Sequence, residues 1–484
     1  MELSIEQKYA LELFKKGENI FITGPGGTGK TKLIEHFVEY CANYKRNLQV
    51  CALTGCATLL LPKMCNARTI HSWSGIRLCK GENEKIIELA LKGKKTRSNW
   101  KSAQILIVDE VSMMSQKVFD VLNELGKRIR YNSKPFGGLQ VVFLGDFYQL
   151  PPVANMGDIA SEKFCFESIH WKSTFPLKSV VVLSKIFRQV DPKYKEILLQ
   201  IRNGYLSKVN AQLLSGYVNR SYDPSDFNGC VPTKLFPTRA KTDQLNASRF
   251  AMINQPIVQF KYYKKTNCKT YLETNQPLNL QHIQKCTNLH ESVKEYEIRQ
   301  LLTTASYSEL LELKIGAIVM CTVNLDMDNG ICNGSQGVIT GFAVSSNVPL
   351  PEVTFVNGIK KVIGLHYVQS EEYPSIAVGQ IPLCLAWALT IHKIQGATLQ
   401  MADIDVGNQI FECGQTYVAL SRVESLDGLY LSAFNAGRIK INPIVKAFYE
   451  CIPEKDYKIE TSDLKYDDLE EEPYCDPTIK KIVL

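Results

Sequence analysis

The chain contains no Cys-x-x-Cys pair and no cluster of histidines, so neither a zinc site nor a paired redox dithiol is written into it. Its 15 cysteines are scattered singly along 484 residues, a length that builds a core without disulfide staples, and they read as reduced thiols inside a cell. No window approaches the roughly 20 apolar residues that a membrane span needs. Met1-Glu2-Leu3-Ser4-Ile5-Glu6 also lacks the basic and apolar regions of a secretory leader. The sequence therefore predicts an intracellular protein with no membrane partner, and leaves nuclear and cytoplasmic compartments open.

Basic charge outnumbers acidic charge over the body of the chain but not at one end. The net charge is +7, yet Glu454–Asp476 holds ten acidic and three basic side chains, leaving +14 on the remainder. A basic body suits a polyanion such as nucleic acid, although excess charge also serves solubility alone. The acidic tail, residues 451–484, is expected to be disordered or loosely docked.

What the chain does have is a phosphate cradle. Gly24-Pro25-Gly26-Gly27-Thr28-Gly29-Lys30-Thr31 follows the apolar run Asn19-Ile20-Phe21-Ile22 and precedes the helical pattern Leu33, Ile34, Phe37, Val38. The glycines let backbone N–H groups turn toward phosphates, Lys30 reaches the β and γ oxygens, and Thr31 offers its hydroxyl to magnesium at a helix N-terminus. Ile105-Leu106-Ile107-Val108-Asp109-Glu110 supplies the complementary half. Four apolar residues make a buried strand, and the two carboxylates at its carboxyl end suit magnesium binding by Asp109 and activation of water by Glu110. Gly145-Asp146-Phe147-Tyr148-Gln149-Leu150-Pro151-Pro152 ends the next strand, placing Gln149 within reach of a γ-phosphate. Arg188 and Arg422, outside the first domain, are candidates to neutralise charge on a transferring phosphoryl group.

Strands near Ile20–Thr23, Gln49–Leu53, Ile105–Val108 and Gln140–Leu144 alternate with helical patterns, which predicts a parallel α/β sheet. Lys80–Lys101, rich in charge and poor in periodic apolar residues, reads as a small insertion at the sheet edge, about residues 76–101. A second α/β unit starts near Val180 and spans 181–310 and 379–450. Between its parts, 311–378 shows short β runs separated by Asn329-Gly330, Asn333-Gly334 and Asn357-Gly358, the signature of an inserted β-barrel. Two basic stretches interleaved with aromatics, Leu91–Lys101 with Trp100 and Lys261-Tyr262-Tyr263-Lys264-Lys265, are candidate contacts to a single strand, as are Trp73 and Trp387 for base stacking. Solvated loops or core packing explain the same residues.

In order along Leu3–Phe434 the motifs resemble those of superfamily 1 B-type helicases, specifically the Pif (petite integration frequency) DNA helicases related to RecD. The most diagnostic string is Asp109-Glu110-Val111-Ser112-Met113-Met114, then Lys127-Arg128-Ile129-Arg130, Lys134-Pro135-Phe136-Gly137-Gly138-Leu139-Gln140 and Gly145–Pro152. Leu53-Thr54-Gly55-Cys56-Ala57, Thr69-Ile70-His71-Ser72-Trp73-Ser74-Gly75, Phe187-Arg188-Gln189, Leu235-Phe236-Pro237-Thr238-Arg239 and Leu385–Gly396 accompany it. The resemblance implies two RecA-like P-loop NTPase domains with parallel sheets, a wedge at 76–101 and an SH3-like barrel at 311–378. It also implies ATP and magnesium as cofactors, and single-stranded DNA and duplex junctions as partners.

By the same resemblance Gln7 contacts adenine and Arg188 and Arg422 are fingers from the second domain. Thr54, Gly55, His71 and Ser72 on one domain, and Thr390, His392 and Gln395 on the other, grip strand phosphates while the motor steps 5′ to 3′. Ile394 stands where the family carries serine, which removes a hydroxyl contact to DNA. The long N-terminal extensions of many eukaryotic members are not in the sequence, which reads as close to a minimal helicase core. A non-catalytic nucleic-acid scaffold and an RNA-directed enzyme of the superfamily are the alternatives, and replication, repair and recombination are all compatible.

Overall fold

In the computed structural model, residues 3–455 and 457 are described, apart from 156, 224–230, 273–274, 306, 327–328, 346–347 and 371–372. The acidic tail expected to be disordered lies almost entirely outside the described residues. No helix among those described is long and apolar enough to cross a membrane.

The first lobe is a six-stranded sheet built from β1 (Ile20–Thr23), β2 (Leu48–Ala52), β3 (Arg68–Thr69), β4 (Ile105–Asp109), β5 (Gln140–Leu144) and β6 (Val180–Val182). Its order is β3-β2-β4-β5-β1-β6, all parallel. Every residue of β1, β4 and β5 is buried, which explains their unbroken apolar runs: helices cover both faces. One face packs Phe14, Leu33, Ile34 and Phe37, and the other packs Phe119, Phe136, Trp171 and Phe175. Val180–Val182 thus completes the first sheet, and the second unit starts after it instead of near Val180.

The second lobe has a four-stranded parallel sheet in the order Ala388–Thr390, Thr233–Phe236, Ala402–Val406 and Leu429–Phe434. Inserted between its first two strands in sequence is antiparallel β structure. Five strands, Lys360–Val362, Val348–Phe355, Gln336–Ser345, Ile318–Cys321 and Leu383–Leu385, form one sheet in that order. Val258–Lys261 pairs with Leu310–Leu313, and Tyr263–Lys265 with Ala377–Gln380, so pairing carries the insert back well before residue 311 and on to Leu385. The register of those early strands could not be read from a sequence whose pairing partners lie tens of residues away.

The charged stretch 76–101 is better packed than its composition suggests. It forms helices Asn83–Lys92 and Lys94–Ser102, with Ile86, Ile87, Ala90 and Trp100 buried. Trp100 is 0% exposed, lies 4.9 Å from the Trp73 ring and donates Nε1–H to the Ser74 carbonyl at 3.4 Å. Both rings, and buried Trp387, belong to cores instead of base-stacking platforms. Trp100→Ala is expected to destabilise the first lobe by about 3–5 kcal/mol, read as a lowered denaturant midpoint.

Candidate active site

The glycine-rich loop follows β1 and feeds the helix Lys30–Asn43. Gly27 (φ +82°) and Gly29 (φ +77°) adopt left-handed backbone, and a Cβ at either position would meet Arg188 Cβ at 2.6 Å or Gln7 Nε2 at 2.8 Å. These glycines let two distant segments close over the loop. Gln7 Nε2 donates to the Thr28 carbonyl at 3.1 Å, while the Phe187 backbone N–H donates to the Gly27 carbonyl at 2.8 Å. Lys30 Nζ donates to the Gly24 and Pro25 carbonyls at 2.8 and 3.0 Å. Burial pulls its ammonium below the usual lysine range, against the carboxylates of Asp146, Glu110 and Asp109.

Asp109 ends β4 and Glu110 follows it, and both line one cavity with this loop. Burial, then the neighbouring Glu110, pushes the Asp109 carboxyl up to about 7. Glu110 sits in left-handed backbone (φ 55°, ψ 42°), an uncommon state for a residue with a Cβ that recurs at functional sites. Its N–H donates to Asp109 Oδ1 at 2.9 Å. Thr31, in the first turn of the helix, and Asp109 line the same cavity. A hydroxyl beside a buried carboxylate is a hard-oxygen donor set that fits magnesium.

The second lobe closes the site. A cavity of about 220 Å³ lies between the P-loop, Asp109, Glu110 and Gln149 on one side and Arg188, Gly396 and Arg422 on the other. The helix Gln415–Leu420 docks on the loop through Tyr417, whose hydroxyl accepts the Gly26 N–H at 2.8 Å. Gly414 enables a close approach, since a Cβ there would lie 2.4 Å from the Tyr148 carbonyl. Arg422, 2% exposed, donates to the Val418 carbonyl (3.1 Å), the Ala397 carbonyl (3.4 Å) and Gln149 Oε1 (3.3 Å). Half-buried Arg188 donates to the Ser421 carbonyl at 3.2 Å. Among the described residues neither guanidinium forms an ion pair, so both charges remain available to an anion. Burial, then Arg188, draws Arg422 down to about 10, still cationic at neutral pH.

The residues expected to grip a strand sit where strands end. β2 pairs Ala52 with Thr69 of β3, so Thr54 and His71 each follow by two residues at one edge of the sheet. Thr54 Oγ1 caps the helix Gly55–Leu60 by accepting the Ala57 N–H, and Thr69 Oγ1 does the same for exposed Ser72. Burial lowers the pKa of His71. In the second lobe Thr390 ends its strand, its hydroxyl accepting the Lys393 N–H, and half-buried His392 lies parallel to Phe411 at 6.4 Å. Gln395 differs from the rest: its side chain reaches Glu110 across the cleft. Ile394 is 1% exposed, so a core contact occupies the position at which the resemblance places a serine in the family.

Sequence reading missed one cluster entirely. Arg202 makes a two-pronged ion pair with fully buried Asp146, Nε to Oδ2 at 2.9 Å and Nη2 to Oδ1 at 2.8 Å. Tyr449, from the helix Pro443–Glu450, donates to Asp146 Oδ1 at 3.3 Å and stacks on Tyr148 at 4.6 Å. The Asp146 carbonyl accepts the Gln149 N–H at 2.9 Å, so the cluster holds the loop that presents Gln149. Asp146 lay inside a recognised motif, but its partners are separated from it by 56 and 303 residues.

Comparison with known proteins agrees with this geometry. A family model described as PIF1-like helicase matches residues 2–212, and one described as the DNA helicase Pif1 2B domain matches 300–342. The chain is 30% identical to the ATP-dependent DNA helicase RRM3 of Saccharomyces cerevisiae, over 93% of this chain and 67% of that one. A crystal structure of Pif1 helicase from Candida albicans is 30% identical with a TM-score of 0.71, covering 94% of this chain and 100% of that one. A Pif1 from Bacteroides sp in complex with ADP-AlF4 is 27% identical with a TM-score of 0.69, covering 93% and 97%. The chain spans between 55% and 67% of the length of the curated relatives it matches.

Proposed function

Because the chain belongs to the PIF1-like helicase family, we propose that it is an ATP-dependent DNA helicase that moves 5′ to 3′ along single-stranded DNA and separates duplexes at junctions. The observation that carries this reading is the pair of guanidiniums without an ion pair among the described residues, half-buried Arg188 and buried Arg422, brought by one lobe to the P-loop and acids of the other. Such a seam makes hydrolysis depend on lobe closure, and closure is what moves one strand-facing loop against another.

Each residue has a place in that scheme. Lys30 and the loop N–H groups hold the phosphates, Gln7 would contact adenine from its place against the Thr28 carbonyl, and Thr31 and Asp109 would hold magnesium, which supplies charge neutralisation at the phosphates. Glu110 accepts a proton from the attacking water, and Gln149, joined to Arg422, relays the state of the γ-phosphate. Thr54, Gly55, His71 and Ser72 face the strand from one lobe, and Thr390 and His392 from the other. Replication, repair and recombination all use such an activity.

The test is ATP turnover with single-stranded DNA, with RNA and with neither. Turnover is expected to rise at least about tenfold with DNA and less with RNA, as for motors whose closure is driven by the strand. Equal stimulation by RNA would favour the RNA-directed reading. Strand binding without turnover would favour a non-catalytic scaffold.

A further inference from the structure

We propose that Gln395 is a catalytic residue that orients the attacking water together with Glu110. The inference rests on the ATP-hydrolysing reading above and assigns Gln395 a role other than gripping the strand.

Gln395 is 9% exposed and lies in the turn that follows the strand Ala388–Thr390, its N–H donating to the His392 carbonyl at 3.3 Å. Ile391 and Ile394, 0% and 1% exposed, anchor that turn in the second-lobe core. The Gln395 side chain crosses the cleft instead. Its Nε2 donates to Glu110 Oε2 at 3.3 Å and to Ser112 Oγ at 3.4 Å. A carboxylate only accepts, so the amide nitrogen must face Glu110, and the orientation of the amide follows from that contact.

That orientation leaves Gln395 Oε1 buried with no hydrogen-bond partner. A buried amide oxygen without a donor costs about 1–3 kcal/mol, and such a group calls for an explanation. The neighbouring Gly396, Glu110 and both phosphate-binding residues of the loop's end, Lys30 and Thr31, line the nucleotide cavity. A water has two O–H donors. With one donated to the Glu110 carboxylate and the other to Gln395 Oε1, both lone pairs of its oxygen are left free and one can meet the γ-phosphorus.

The reaction then balances without further reagents. The water oxygen forms a bond to the γ-phosphorus, the bond from that phosphorus to the bridging oxygen breaks, and ADP leaves with the electron pair. Glu110 takes the proton that the water loses. Gln395 neither gains nor loses a proton and serves as acceptor and as donor to Glu110. Because Thr390 and His392 stand on the same turn, displacement of that turn by a bound strand moves the water-orienting oxygen directly.

The experiment measures, on the full chain, kcat for ATP at saturating single-stranded DNA, beside the Kd of a fluorescent single-stranded oligonucleotide and of a non-hydrolysable ATP analogue. Gln395→Ala is expected to lower kcat roughly 10- to 100-fold, the worth of a hydrogen bond to a charged group, with both Kd values within about threefold of the parent. Gln395→Glu keeps the shape but cannot donate to Glu110, and is expected to fall as far. The proposal is overturned if either variant keeps kcat within about threefold of the parent while binding the oligonucleotide more weakly, the pattern of a strand-gripping residue. A parent chain without any turnover would instead sink the helicase reading.

Discussion

Truncating Arg422 to alanine is expected to lower ATP turnover by about 10³- to 10⁵-fold, the range over which an arginine acting on a transferring phosphoryl group works. The guanidinium is buried among three neutral acceptors, the Val418 and Ala397 carbonyls and Gln149 Oε1. A charge kept out of water without an opposite partner is costly, so its retention points to an anion that completes it. Lysine is not expected to restore turnover. Its single ammonium cannot hold Val418, Ala397 and Gln149 while also facing a phosphate. The measurement is kcat at saturating ATP and single-stranded DNA, with a thermal melt to register any loss of lobe packing. A modest drop of about tenfold or less would place Arg422 among structural residues.

Glu110→Gln is the second large effect. In the proposed role of general base its removal is expected to lower turnover by about 10²- to 10⁴-fold. The substitution is nearly isosteric and retains the left-handed backbone that Glu110 already adopts, so nucleotide binding is expected to persist. Removing one of two adjacent carboxylates should also ease the approach of an anionic nucleotide, because Asp109 loses its closest like-charged neighbour. Equilibrium binding of an ATP analogue beside single-turnover hydrolysis separates the two effects. Loss of binding together with hydrolysis would assign Glu110 to holding the nucleotide.

The parts of this molecule that were legible in the sequence are local. A glycine-rich loop between an apolar strand and an amphipathic helix, and two acids closing another apolar strand, carry their geometry within a dozen residues. Gln7, Arg188 and Arg422 came from the motif order, and the structure brings all three against the loop or its cavity. What stayed hidden depends on long-range pairing. Val180–Val182 is apolar enough for either sheet, and only its register beside Phe21, Ile22 and Thr23 decides between them.

Other differences have the same origin. The helices at 83–102 bury few but large groups, so a count of periodic apolar residues undervalued them, and Trp100 looked like a stacking platform for want of knowing that Trp73 covers it. Arg202, Asp146 and Tyr449 carry no shared pattern along the chain. Gln395 was assigned to the strand along with its neighbours in the turn. Ile391 and Ile394, which precede it in that turn, are buried in the second-lobe core, whereas the Gln395 side chain reaches Glu110 across the cleft, a contact that no local pattern announces.

The central claim is that acids of one lobe and guanidiniums of the other form a single nucleotide site whose turnover drives movement along one strand. Strand displacement from duplexes carrying a 5′ overhang, a 3′ overhang or blunt ends, in ATP and magnesium, tests it most directly. The account predicts displacement from the 5′-overhang duplex alone, and none when Arg422 is alanine or Glu110 is glutamine. Displacement that survives either substitution, or none from any duplex by the parent chain, would contradict it.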